Sequence, residues 1–416
     1  MQIFLPQSQI ENNNQLTFSP IAKKYSIPYE KYELNAEKSS TIVSKNGNVI
    51  IIPANCFVNE LGNLITGKVD IYFREIRTAA DIITNNIRMN VKENGTNYTL
   101  QTSGMFELRG FRDKTPIKIR EGKTIKVEYV SNSSQVFDNY YYDENKKEWI
   151  KSGIQKQNTK SDLVPLIKPV LKTKNDYTIK AKIDFSDFPN FNVYSGVEWK
   201  YLGNENIGQL ELKLQENLQK QEVQVIDFNT LTFKYTLSSL TNPKNRVELL
   251  LQPVFSDQSY SIALAQYEER LKLIAQMAAR RKQLLTEKNI LNQFSVNKFS
   301  YQNCDVVYRY PGHIFVNASF SFGNQQSASK NIKIYLITEN DSVVMKFEND
   351  FTKFNFNPQK NNKIIGIEEG NRLGVIASKD FKNLKIQPNS AFPFQLTEIT
   401  QDMETLENFN SLIQKL

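Results

Sequence analysis

The sequence predicts a mostly β protein: two or three β-sandwich domains, one long α-helix over about 257–292 and a short C-terminal helix. Three observations carry that expectation. Apolar and polar residues alternate with a period of two in many places, and the alternating runs follow one another without helices between them. One glycine- and proline-free segment of strong helix formers then interrupts the pattern.

The strand runs are plain. In "YTIKAKIDF", Tyr177, Ile179, Ala181, Ile183 and Phe185 share one face, and Thr178, Lys180, Lys182 and Asp184 the other. "LTFKYTL" repeats this with Leu231, Phe233, Tyr235 and Leu237, and "IFVNASF" with Ile314, Val316, Ala318 and Phe320. Such alternation describes half-buried antiparallel strands. "IKIYLITENDSVVMKFE" reads as two strands joined by a polar "ENDS" turn.

The helical exception runs from Ser256 to about Asn292. Ser256 or Asp257 can cap its free amides, and Ala, Leu, Gln, Glu, Lys and Arg fill its interior. Tyr260, Leu264, Tyr267, Leu271, Ile274, Ala278 and Leu285 follow a four-three spacing that Arg281 interrupts. At 1.5 Å per residue the helix is on the order of 50 Å long, more than one sandwich needs. It is therefore expected to span a domain junction or to meet a partner. Arg280, Arg281 and Lys282 form its basic cluster, and burying a charge there is costly unless it is paired. The apolar stripe should leave the core near Arg281, and these three residues are the candidate partner-binding site. Met403, Leu406, Phe409, Ile413 and Leu416 mark a second amphipathic helix at the end of the chain.

The resulting division is an N-terminal tail (1–29), a β-sandwich (30–155), a linker (156–176) with two prolines, a second β region (177–255), the long helix (256–294), a C-terminal β-sandwich (295–400) and an amphipathic helix (401–416). A chain of 416 residues with 40% apolar content has ample material for several cores. Its net charge of +8 is spread along the chain without a basic block, so nucleic acid is not the expected partner. No stretch has the roughly 18 apolar residues of a transmembrane helix. The start, "MQIFLPQSQIENNNQ", has no signal-peptide pattern and no lipobox cysteine.

Catalytic patterns are sparse. Gly62, Gly67 and Lys68 match most of a phosphate-binding loop, but Val69 stands where a magnesium-binding hydroxyl belongs. Val69, Ile71 and Phe73 alternate as a strand, whereas a phosphate loop opens a helix. A hairpin is expected, not a nucleotide site. His313, the only histidine, begins a strand in "YPGHIFV" and excludes paired-histidine metal sites. Cys56 and Cys304 read as small buried side chains, with a single bridge between them left open. Glu268 with Glu269, and Glu368 with Glu369, are adjacent acids on surface elements. No catalytic residue, cofactor or metal is expected.

The stretch around Ile52 resembles the β-sandwich domain shared by netrin receptors, ankyrins and zonula occludens proteins, on Gly47, Ile52, Pro53, Ala54, Phe57, Gly62 and Gly67. The chain is more closely similar to a family of large envelope proteins of Bacteroidota, with "IPANxFVDxxGNxVTGxVxIxFRE", "SGMFExRxF", "WxYxG" and "NCD". These correspond to Ile52–Glu75, Ser103–Phe111, Trp199–Gly203 and Asn303–Asp305. The resemblance implies a fold and a cell-envelope location, periplasmic or at the surface and associated with the outer membrane, but no reaction. A non-catalytic binding or structural role is expected, as an accessory part of a surface or outer-membrane assembly linked to secretion or gliding, with other envelope proteins as partners. Two other readings are a glycan-binding or adhesin module, suggested by 11% aromatic residues, and a carbohydrate- or peptide-processing enzyme whose acids meet only in space.

Overall fold

The structure is a computed structural model. It describes residues 3–5, 18, 21–131, 137–154, 156–157, 168–179, 197–214, 220–227, 232–239, 241–242, 244–286, 290–310, 312–323, 331–338, 340, 342–368, 372–400 and 405–416. Strands dominate and form several sheets. Of "YTIKAKIDF", only Tyr177–Ile179 lies within the described residues, with Thr178–Ile179 a strand. The other alternating runs form strands Thr232–Ser238, Ile314–Phe322, Ile332–Thr338 and Val343–Glu348.

The first core lies between two sheets. One contains Tyr29–Asn35, Lys68–Ile76, Thr96–Arg112, Ser300–Tyr308 and Asp138–Asp143. The other runs in the order Lys156–Gln157, Ile290–Val296, Ile125–Ser131, Val49–Ile52, Ser40–Val43. Ile50, Ile52, Phe57, Ile71, Phe73, Phe106, Val127, Tyr129 and Phe294 fill the space between them. Gly104 is needed where the sheets approach. Its φ is +146°, and a Cβ there would sit 2.3 Å from the Tyr129 ring.

Strand pairing redraws the chain relative to its sequence order. Residues 290–308, expected to end the long helix and open the C-terminal sandwich, belong to the first pair of sheets. Ile290–Val296 pairs with Ile125–Ser131, and Ser300–Tyr308 pairs with both Thr96–Arg112 and Asp138–Asp143. The helix accordingly stops at Thr286, because Asn292, Phe294 and Val296 alternate into the core as a strand does. The expected linker begins with strand Lys156–Gln157, which pairs with Asn292–Gln293. Everything between them, including Lys168–Ile179 and Val197–Thr286, is therefore an insertion whose two ends leave the same sheet side by side. Described parts of the expected N-terminal tail are paired or buried as well. Ile3–Leu5 pairs with Tyr29–Lys31, and Phe18 is buried against Tyr142 and Tyr301.

The insertion has its own five-stranded antiparallel sheet, in the order 178–179, 198–201, 246–254, 232–238, 220–227. Trp199, Phe233, Tyr235, Leu249 and Leu251 pack with Leu210 of a helix over Ile207–Leu214, and with Tyr260, Ala263 and Tyr267 of the long helix.

The C-terminal strands surround Phe320, Ile334, Leu336, Phe354, Phe356, Phe394 and Leu396. Their sheet joins the first through the Val343–Gln101 pair. Over this junction lie two short helices, Ala79–Thr84 and Leu406–Lys415. Thr78 and Asp81 form a capping box on the first, and Thr405 caps the second. Phe409, Leu412 and Ile413 of the terminal helix are buried, Phe409 against Tyr25. The expected stripe omitted Leu412, and Met403 lies outside the described residues.

Candidate functional site

The near phosphate loop is built as turns and a strand. Asn59 Oδ1 accepts from the amides of Leu61 and Asn63, Gly62 and Gly67 take positive φ, and Lys68 opens strand Lys68–Ile76. Lys68 Nζ lies 2.8 Å from Glu33 on the neighbouring strand, and Val69 is buried. The alternating residues form the strand expected of them, but it pairs with Tyr29–Asn35 and Thr96–Arg112 and not with Phe57–Val58, so the expected hairpin is reduced to the single Val58–Leu64 bridge. No helix N-terminus stands behind it to receive phosphate.

The densest polar chemistry is internal. Arg74 and Glu107, on adjacent strands, are 1% and 0% exposed. Glu107 Oε2 accepts from Arg74 Nε at 2.6 Å and from the Tyr29 hydroxyl at 2.6 Å, and Glu107 Oε1 accepts from Arg109 Nε at 2.7 Å. Arg74 Nη2 donates to the Tyr301 hydroxyl at 2.6 Å, and the Tyr29 ring lies 4.4 Å from its guanidinium carbon. Arg109 extends the network to Glu144. Burial alone would raise the Glu107 pKa, but the two guanidiniums outweigh it and hold the carboxyl at about 2. This is a satisfied, closed network without a vacant reacting position, and it fastens four strands together. Sequence reading missed it. The signal was Arg74 and Glu107 within the apolar runs "IYFREI" and "MFELRGF", since a strand buried on both faces cannot expose every charge.

Asp305 is a different case. It is fully buried; its Oδ2 accepts from the Asn303 amide, while Oδ1 has no hydrogen-bond partner. Burial pushes its pKa well above the ordinary carboxyl range. Cys304 beside it occupies a register shift opposite Ser103, whose hydroxyl donates to the Cys304 carbonyl at 3.1 Å. Cys56 and Cys304 are free thiols in one apolar core, each pushed by burial to about 12 and therefore poor nucleophiles.

His313 sits among aromatic side chains. Its Nδ1 is 2.9 Å from Asn355 Oδ1, its Nε2 is 3.3 Å from the Tyr308 hydroxyl, and the rings of Tyr308 and Tyr310 flank it. Tyr310 stacks on Tyr98, which Arg309 covers at 5.2 Å, so these rings face one another and not an open platform. Among the described residues there is no group of three or more His, Cys, Asp or Glu side chains placed to hold a metal. Nor is any described helix long and apolar enough to cross a membrane.

That leaves the insertion's surface. The helix Asp257–Thr286 is fastened at Tyr260, Ala263 and Tyr267, but Leu271 is 41% exposed. The stripe thus leaves the core before Leu271, ten residues earlier than the charge at Arg281 suggested. Arg280 and Arg281 lie in the helix, with side chains outside the described residues; Lys282 is exposed. Leu285 also lies outside them, Ile274 is half-buried, and Glu268 with Glu269 are both exposed. Comparison with protein families, with curated proteins and with solved structures finds no match.

Proposed function

We propose that the chain is a non-catalytic binding or structural protein of the bacterial cell envelope, an accessory component of a surface or outer-membrane assembly serving secretion or gliding. In this reading two sandwich-like units form the scaffold, and the insertion with its long helix presents the contact surface to other envelope proteins. One observation carries the contact surface. Of the twelve large apolar side chains exposed among the described residues, nine fall between Val170 and Leu271, including Leu212 at 66% and Ile262 at 57%. The unit that exposes most of these apolar side chains is the part of the molecule that gains most from meeting another. The basic cluster Arg280, Arg281 and Lys282 adjoins it and would select an acidic partner. The ordered motifs from Ile52 to Asp305 support the envelope setting.

The test joins fractionation of native cells with a pull-down. The chain should sediment with the envelope, and reversing Arg280, Arg281 and Lys282 to Glu should remove its co-purifying protein without changing the circular dichroism spectrum. Recovery only in the cytosolic fraction, or an unchanged partner, overturns the reading.

A further inference from the structure

Asp305 stands at the seam where the two sandwich-like units join. Val343 of the C-terminal sheet pairs with Gln101, the Thr102 amide donates to the Ser342 carbonyl at 2.9 Å, and Gln101 Nε2 donates to the Ser342 hydroxyl at 3.0 Å. Thr102 is also the cross-strand partner of Asp305, beside a register shift between Asn303 and Asp305. Its hydroxyl donates to Asn303 Oδ1 at 3.0 Å and accepts from the Gly104 amide at 3.0 Å, and the Asn303 side chain donates to Asp305 Oδ2. The carboxyl is thus linked, through Asn303 and Thr102, to the backbone bonds that hold the two sheets together. Its setting favours the neutral form. Asp305 is 0% exposed, and Oδ1 has no hydrogen-bond partner. Asp138 stands opposite it with the same sign of charge and is held by Lys151 at 2.6 Å. Burial raises the nearby Tyr140 phenol and Cys304 thiol, and Glu93 beyond them pairs with Arg309 at 2.7 Å. Strand Thr96–Arg112 contributes Thr102 and Ser103, which carry no charge. Bonds from Thr102 and Asn303 favour ionisation, and burial outweighs them.

We propose that Asp305 is a pH-sensitive latch on this seam: as a neutral acid it keeps the Thr102–Ser342 and Gln101–Val343 contacts closed, and loss of its proton opens them. A carboxylate at this position reaches water only if the strands part around Asn303–Asp305, and that movement draws Thr102 away from Ser342. The units stay attached meanwhile, because Met105 and Tyr140 share one apolar core with Tyr335, Ile337 and Val344. In the open seam the carboxyl is hydrated and titrates near its ordinary value of about 3.9, below its value when closed. Opening therefore becomes about tenfold easier for each pH unit above about 3.9, and levels off once the pH passes the closed-state value. The latch is independent of the insertion's contact surface and of the envelope location.

Hydrogen exchange of the full chain, followed by mass spectrometry from about pH 5 to pH 9, tests it. Rates are divided by those of the unfolded chain at the same pH, which removes the chemical dependence of exchange itself. Peptides covering 99–105 and 342–346 should then exchange about tenfold faster per pH unit until the rise levels off. Strand Ile125–Ser131, on the opposite sheet, should show no such rise. Asp305→Asn cannot ionise and should flatten the dependence at the seam. The slope of the unaltered chain remains decisive even if that variant fails to fold. A seam indifferent to pH, an equal rise in Ile125–Ser131, or the same rise in a folded Asp305→Asn chain overturns the proposal.

Discussion

At the scale of single residues, the interior holds two carboxyls with opposite pH behaviour. Glu107 is held at about 2 in the folded chain, below the ordinary value near 4.3 of an unfolded Glu. Its ionic contribution is thus complete above about pH 4.3 and is lost as pH falls through about 2. Glu107→Gln leaves Arg74 buried without its counter-charge and should cost about 3–5 kcal/mol in urea unfolding at pH 7, the usual result of breaking a buried pair. Asp305 runs the other way. Its folded pKa is raised, so the folded state keeps a proton that the unfolded chain releases above about pH 3.9. Stability therefore declines as pH rises above that value. Asp305→Asn should stabilise the protein at pH 7, and the gain should shrink toward zero below about pH 4; an equal gain at both pH values would show that ionisation is not the cause.

At the scale of elements, the terminal helix Leu406–Lys415 shows how a short segment is held. Ten residues are too few for a stable helix in water, so tertiary contacts must maintain it. Phe409 packs on Tyr25, Thr78 Oγ1 donates to Asn410 Oδ1 at 2.7 Å, and Lys363 Nζ donates to the Ile413 carbonyl at 3.0 Å. Phe409→Ala should cost about 3–5 kcal/mol, as truncation of a buried aromatic side chain does, whereas Thr405→Ala should cost about 1 kcal/mol through loss of the cap. Hydrogen exchange should show the helix amides losing protection in the first variant far more than in the second. The strands Phe233–Leu237 and Ile314–Phe320 were legible in the sequence because one face is wet and one dry. Strand Lys68–Ile76 was less so in its second half, where Phe73 to Ile76 are all buried and alternation vanishes.

At the scale of the molecule, the insertion between Gln157 and Ile290 has its own core around Trp199 and Phe233, separate from the cores of the remaining sheets. Units with separate cores unfold separately unless a large apolar interface couples them. Calorimetry should resolve two transitions. Trp199→Ala, which removes a side chain stacked edge-on against Phe233 at 5.3 Å, should lower only one of them, and Glu107→Gln only the other. A single transition shifted equally by both substitutions would mean that the insertion folds as part of the whole. The two ends of the insertion meet in one sheet, where Lys156–Gln157 pairs with Asn292–Gln293.

The sequence by itself determined the mostly β class, the turns at Gly62 and Gly67 with the strand that opens at Lys68, and the amphipathic helix near the C-terminus. Each depends on local periodicity or on the φ preferences of a few neighbours, and those are written in adjacent residues. It could not show that Ile290–Tyr308 returns to the first pair of sheets, because strand partners are chosen by long-range complementarity between faces and leave no trace in the spacing along the chain. Nor could it show that Arg74 and Glu107 meet in the core. A charge is expected outside until a counter-charge on another strand, supplied only by the register of Phe73 with Leu108 and Arg74 with Glu107, makes its burial affordable.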